Sequence, residues 1–170
     1  EFRRVLFRSR VPREFIPSVE HAIRTESKRG TIAGYEVVDF KARLVDGKYH
    51  DVDSSALAFE IAGRAAFRDA HKASKPKLLE PIMRIEVVTE AQYLGDIIGD
   101  VNRRRGQVTD QGQKGPQATV QGLVPLAEMF GYINFLRSTT SGRGTFTMEF
   151  GHYAEVPAGL VDKLMEKEEK

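Results

Sequence analysis

The chain contains no cysteine. That excludes disulfide staples and Cys-ligated zinc, and it suits a reducing compartment. No apolar run approaches the roughly 20 residues a membrane-spanning helix needs, so no membrane partner is expected. The net charge of +2 is too small for the whole molecule to bind polyanions non-specifically. Any nucleic-acid contact must therefore come from local clusters. There is no internal repeat, no low-complexity tract, no P-loop, no nucleophile elbow and no HExxH pattern. Glu80 and Glu128 have no sequence neighbour that suggests acid–base chemistry. The chain by itself does not read as an enzyme.

What is present is ordinary for a soluble globular protein: 41% hydrophobic and 29% charged residues over 170 positions. That length suits one ordinary domain or two small ones. Residues 1–10, EFRRVLFRSR, are basic and apolar without a convincing period, and they lack the long apolar centre of a secretory signal. They read as an artefact or tag, a structured N-terminal strand being the alternative.

Helical periodicity then begins. Phe15, Ile16, Val19 and Ile23 predict a helix over Arg13 to Lys28, with Pro17 tolerated in its first turn and Gly30 closing it. The alternation in EVVDFKARLV predicts a half-buried strand with Val38, Phe40, Ala42 and Leu44 on its inner face. A turn, GKYHDVDSS, leads to an Ala-rich helix from Ser54 to Ala73. The stripe Leu57, Ile61 and Ala65 is smooth enough to pack closely on a sheet. One strand and two helices cannot bury that much apolar surface, so this half reads as a domain lacking its earlier strands. Lys75-Pro76-Lys77 marks the boundary.

The second half has a clear order. Met83 to Val87 alternates as a strand, and Thr89 with Gln92 predicts a capping box. A helix with Tyr93, Ile97 and Val101 inward ends at Arg103, Arg104, Arg105 and Gly106. A short strand begins at Val108, and Asp110 to Pro116 reads as a hairpin loop or connection. Ala118, Val120 and Val124 mark the next strand. A helix over Ala127 to Arg137 points Met129, Ile133 and Leu136 inward. Ser141-Gly142-Arg143-Gly144 turns into a last strand with Phe146, Met148 and Phe150 on one face, read as core. The order βαββαβ is the ferredoxin-like split motif. A final helix over Ala158 to Lys167 would bury Leu160, Val161 and Leu164.

Two constellations stand out. In the turn, Gly47 suits a tight bend, and Asp53, Ser54 and Ser55 can each cap the helix that follows. His50, at the tip, has no such structural reason. His50, Asp51 and Asp53 combine imidazole and carboxylate, yet no further ligand set lies nearby, so no metal is expected. Arg103, Arg104 and Arg105 complement a helix C-terminus. With Lys114, Arg137 and Arg143 on other connections they equally suggest a phosphate-reading edge. The segment RGTFTMEF faintly resembles an RNA-recognition-motif signature but departs from it at the aromatic positions and lies on the wrong strand.

Taken in order, GYEVVDFKARLVDGKYHDVDSS, LLEPIMRIEVVTE, GDIIGDVNRRRGQV, VPLAEMFGY, LRSTTSGRGTFTMEF and HYAEVP resemble the C-terminal part of bacterial-type elongation factor G, from Val11 to the C-terminus. The resemblance implies an α+β chain. Residues 11–78 would be a partial ribosomal-protein-S5-domain-2-like fourth domain, residues 79–157 a ferredoxin-like fifth domain, and residues 158–170 a C-terminal helix and tail. It implies a ribosomal translocase, cytoplasmic or in an organellar matrix, whose GTP and Mg belong to a GTPase domain not in this chain. This chain itself would then need no cofactor.

The implied partners are the ribosome, at the small-subunit decoding region and the large-subunit GTPase-associated region, together with tRNA and mRNA; a monomer is expected. His50 would match the family's tip histidine that contacts tRNA and mRNA, in a loop shaped by Gly47, Lys48, Tyr49, Asp51 and Asp53. Arg103, Arg104, Arg105, Lys114 and Arg143 would be candidates, by position, for a large-subunit rRNA contact. A stand-alone ribosome- or RNA-binding module and a recycling-specialised paralogue remain the alternatives. A tetracycline-protection factor would be expected to carry a different tip loop.

Overall fold

A computed structural model of the chain describes residues 11–162. Its contacts divide the chain into two compact units, residues 78–157 forming one and the described residues on either side the other.

In the first unit two helices form close to the positions read for them. A 3-10 turn at Arg13–Phe15 leads into α1 (Ile16–Ser27), with proline in its first turn, where a missing N–H costs nothing. Helix α2 (Ala56–Ala73) is capped by Ser55, whose Oγ accepts from Ala58 N–H at 3.1 Å. The two helices touch where side chains are small: a Cβ added at Gly63 would lie 3.2 Å from Ala22 Cβ. Phe15 stacks on Phe59 at 4.6 Å, and Val11, Val19 and Phe59 form the core.

Two expectations for this unit fail. Residues 36–45 belong to no ladder, and the Val37 N–H donates instead to Ser27 O at 2.7 Å. A strand needs a neighbour for its N–H and C=O groups, and among the described residues of this unit there is none. Asp39, at φ 51°, also breaks the alternation. Val38 and Phe40 are exposed, while Leu44 packs on the core. On α2 the buried face is Phe59 and Gly63, and the Leu57, Ile61 and Ala65 stripe is exposed. The partner of α2 is α1, not a sheet, so a different stripe turns inward.

The second unit is the ferredoxin-like arrangement. Strands β1 (Leu79–Glu90), β2 (Gln107–Lys114), β3 (Gln117–Pro125) and β4 (Thr145–Glu155) form an antiparallel sheet in the order β2-β3-β1-β4. Helices α3 (Leu94–Arg103) and α4 (Tyr132–Thr139) cover one face. Strand alternation decides which face. Ile85 and Val87 on β1, and Val120 and Val124 on β3, meet Ile97, Val101, Tyr132 and Leu136 in one core. Arg84 and Glu86 point the other way, Arg84 pairing with Glu149 on β4 and Glu86 accepting from Gln121 on β3. The chain is therefore α+β.

Local differences from the sequence reading have local causes. Thr89 is buried in β1 instead of capping α3, and Gln92 bonds Glu90, so no capping box forms. Residues 110–114 continue β2, and the turn tightens to Gly115-Pro116, with Gly115 at φ 62° supplying the positive first torsion of a Gly-X hairpin. The helix expected over Ala127 to Arg137 is interrupted at Gly131, φ 75°. It restarts with Tyr132 as the buried residue, leaving Ile133 half-buried. On β4 Phe146 packs against the core, but Met148 and Phe150 are exposed, because β4 is an edge strand beyond the reach of the helices. Residues 158–162 are helical, and the expected remainder, with Leu164, lies outside the described residues. No described helix is long and apolar enough to cross a membrane.

Candidate functional site

The turn before α2 is built from its backbone outward. At Gly47 the chain passes so near Val11 that an added Cβ would lie 2.6 Å from Val11 Cγ2, and Asp46 Oδ1 accepts from the Gly47 N–H at 2.9 Å. A side chain here would displace either Val11 or the turn. His50 and Ser54 then clasp each other: the His50 N–H donates to Ser54 Oγ at 2.9 Å, and the Ser54 N–H donates to His50 O at 3.1 Å. Residues 51–53 bulge within that clasp as a turn. Of the three capping candidates, Ser55 caps α2, Ser54 holds the clasp, and Asp53 is exposed in the turn.

The result is an imidazole on a fixed pedestal. His50 is exposed, and its ring makes no hydrogen bond or ion pair among the described residues. Tyr49 is tied down beside it, its ring 6.0 Å from Phe15. The Tyr49 phenol is held above its ordinary range chiefly by its hydrogen bond to Asp51; slight burial and the charges of Asp51 and Glu14 add to this. Lys48, Asp51 and Asp53 are all exposed, so the loop carries no excess of positive charge. An exposed imidazole so placed is able to stack and to hydrogen-bond. No group of three or more His, Asp or Glu among the described residues is placed to hold a metal ion.

The arginine run is put to work inside the fold. Asp100, on α3 and almost fully buried, receives Arg103 Nη2 at 2.7 Å and Arg104 Nε at 2.6 Å. Arg104 also donates to Glu128 O and lies over the Tyr132 ring, 5.1 Å from its centroid. Arg105 makes a two-pronged pair with Glu80 and donates Nε to Glu128 at 2.9 Å. Those hydrogen bonds, Glu80 first, raise its already high pKa. The Tyr132 phenol is pushed up to about 12, mainly by burial and further by Asp100, against the opposing charge of Arg104. Of the three arginines, only Arg103 is mostly in solvent, stacked over Phe135 at 5.7 Å.

A single phosphate-reading edge does not form. Arg105 is anchored to Glu80 at the start of β1, whereas Arg143 is anchored to Glu90 at its end, through bonds of 2.9 and 3.1 Å that raise its pKa. Ten strand residues separate those anchors by roughly 33 Å. Lys114 is exposed at the Glu90 end, because Gln117 pairs with both residues across the hairpin and β1. Two groups of cations therefore sit at opposite ends of one sheet. The Asp100 link to Arg103 and Arg104 was open to inspection at i, i+3 and i, i+4 spacing. The carboxylates of Glu80 and Glu128 gave no such local sign.

Comparison with known families decides the kinship. A family described as elongation factor G C-terminus matches residues 77–164, more than half of the chain, and one described as elongation factor G, domain IV, matches residues 1–75. The chain belongs to the elongation factor G family. It is 54% identical over 157 residues to elongation factor G of Granulibacter bethesdensis, covering 92% of this chain and 23% of that protein. A crystal structure from Thermus thermophilus superposes with a TM-score of 0.79 at 39% identity, over 92% of this chain and 24% of that one. The chain thus spans about a quarter of the length of each of these two proteins.

Proposed function

We propose that this chain supplies the C-terminal part of a ribosomal translocase, acting in the cytoplasm on the ribosome, tRNA and mRNA. In this reading the His50 loop enters the small-subunit decoding region, and His50 contacts RNA by stacking or hydrogen bonding. The observation that carries it is the clasp between His50 and Ser54 at the head of α2. It holds an exposed imidazole out on a turn whose shape is set by Gly47, Tyr49 and Asp51. GTP and Mg would be bound elsewhere in the complete factor, and this chain would transmit the resulting movement. The ferredoxin-like unit would face the large subunit, with Arg103 at one end of the sheet and Lys114 with Arg143 at the other as its outward cations.

The test is a chimera of the Granulibacter factor in which this chain replaces the matching segment. His50→Ala should slow tRNA movement at least tenfold, with ribosome-stimulated GTP hydrolysis within about twofold of the parent, an effect of about 1.4 kcal/mol or more on the movement step alone. Equal loss of both activities would remove the role given to His50.

A further inference from the structure

Three rings form a line that ends at the His50 turn. Phe59, on α2 and buried in the core of the first unit, stacks on Phe15 at 4.6 Å with the ring planes 14° apart. Phe15, half-buried, lies in turn 6.0 Å from the ring of Tyr49, the residue that precedes His50. Phe15 closes the 3-10 turn Arg13–Phe15, so the chain entering α1 is what the His50 turn rests on. Two further contacts put the same segment there. A Cβ added at Gly47 would fall 2.6 Å from Val11 Cγ2. The charge of Glu14 also reaches the Tyr49 phenol, which is hydrogen-bonded to Asp51. Residues 11–15 therefore hold the loop at Gly47 and Tyr49, and the clasp with Ser54 holds it at His50.

We propose that Phe15 is a positioning residue for His50: it joins the Tyr49 ring to the core through Phe59 and so fixes where the imidazole is presented. The clasp alone does not do this. Its two bonds run between His50 and Ser54 and restrain nothing before His50. A swing of Tyr49 would carry its covalent neighbour along, and a misplacement of about 1 Å in a positioned contact can cost about a hundredfold in rate. Joining two rings takes a third ring with two usable faces, so an aliphatic side chain at position 15 would fill volume without making the link. This role for Phe15 rests on the contact to RNA proposed above for His50.

The experiment is a double-mutant cycle between Phe15→Leu and His50→Ala in the Granulibacter chimera carrying this chain. Phe15→Leu should slow tRNA movement about fivefold with ribosome-stimulated GTP hydrolysis within about twofold of the parent, and Phe15→Tyr, which keeps the ring, should stay within about twofold in both. On the His50→Ala background Phe15→Leu should change movement by less than about 1.5-fold, because the group it positions is gone. Equal slowing on both backgrounds, equal loss of the two activities, or no slowing by Phe15→Leu overturns the role of Phe15. Tyr49→Leu breaks the line at its other end and spares the stack of Phe15 on Phe59. It should slow movement at least as much, and adding Phe15→Leu to it should slow movement no further; additive losses overturn the link. In the full chain, hydrogen exchange at the clasped His50 and Ser54 amides should quicken about fivefold in Phe15→Leu, with Ala22 on α1 within about twofold. A uniform rise at all three would give Phe15 a packing role only. Should His50→Ala leave movement unchanged, the reading of His50 falls and the role of Phe15 with it, whereas slowing by His50→Ala without the coupling removes Phe15 alone.

Discussion

Replacing Asp100 by alanine would remove the carboxylate on which two arginines converge. The Asp100 side chain is 3% exposed, that of Arg104 18% and that of Arg103 70%. The contact to Arg103 is screened by water, and its loss costs at most about 0.5 kcal/mol. The contact to Arg104 is a charge-assisted bond in a mostly buried setting and contributes about 1.5–3 kcal/mol. Its loss also strands a guanidinium whose remaining partners are Glu128 O and the Tyr132 and Phe135 rings. The sum is about 2–4 kcal/mol, or about 10–25 °C in the melting temperature of a unit this size. Urea unfolding of the full chain, followed by tyrosine fluorescence because tryptophan is absent, would measure it. Arg103→Ala is the internal control, expected within about 0.5 kcal/mol of the parent. Should Asp100→Ala cost no more than Arg103→Ala, the buried pair is not holding the unit together.

Three other outcomes follow from the geometry. The Tyr132 hydroxyl is buried with no hydrogen-bond partner among the described residues, so Tyr132→Phe should leave stability unchanged or raise it by up to about 1 kcal/mol in urea unfolding. Because the folded-state pKa of Tyr132 is raised to about 12 from 10.0, its neutral form stabilises the fold fully below about pH 10, and that contribution is lost as pH rises through 12. An alkaline melting series should show the decline in the parent and less of it in Tyr132→Phe. Gly106→Ala would set a Cβ 2.7 Å from both Val101 O and Val124 Cγ2, and should cost about 1–3 kcal/mol in the same unfolding assay. Charge reversal at Arg103, or at Lys114 with Arg143, should each weaken ribosome binding and flatten its salt dependence in proportion to the cations removed. An unchanged slope for either variant would leave those cations with structural roles only.

Much of the second unit was legible because its period is strong and its punctuation local. Ala118, Val120 and Val124 read as one face and are all fully buried, and Ile97 and Val101 on α3 likewise. The His50 turn was legible for a different reason. A titratable ring just before a serine-rich helix start has no packing purpose, and here it is exposed. Gly47 is required by the close approach of Val11 and not by the positive φ of a tight bend. Tyr132 was missed as core because Gly131 resets the helical phase, a backbone event that side-chain periodicity does not record.

The sequence by itself determined the order of helices and strands in the second unit, the two helices of the first and the family to which the chain belongs. Each depends on neighbours within a few positions or on an ordered set of motifs. Only the tertiary structure decided which stripe of α2 is buried, that residues 36–45 join no sheet, and that the cations gather at two ends of a sheet and not one edge. It alone showed that Arg104 and Arg105 are occupied by Asp100, Glu80 and Glu128. The physical reason is range. Propensity and periodicity act over one or two turns, whereas an ion pair between residues 25 positions apart exists only once the sheet has brought them together.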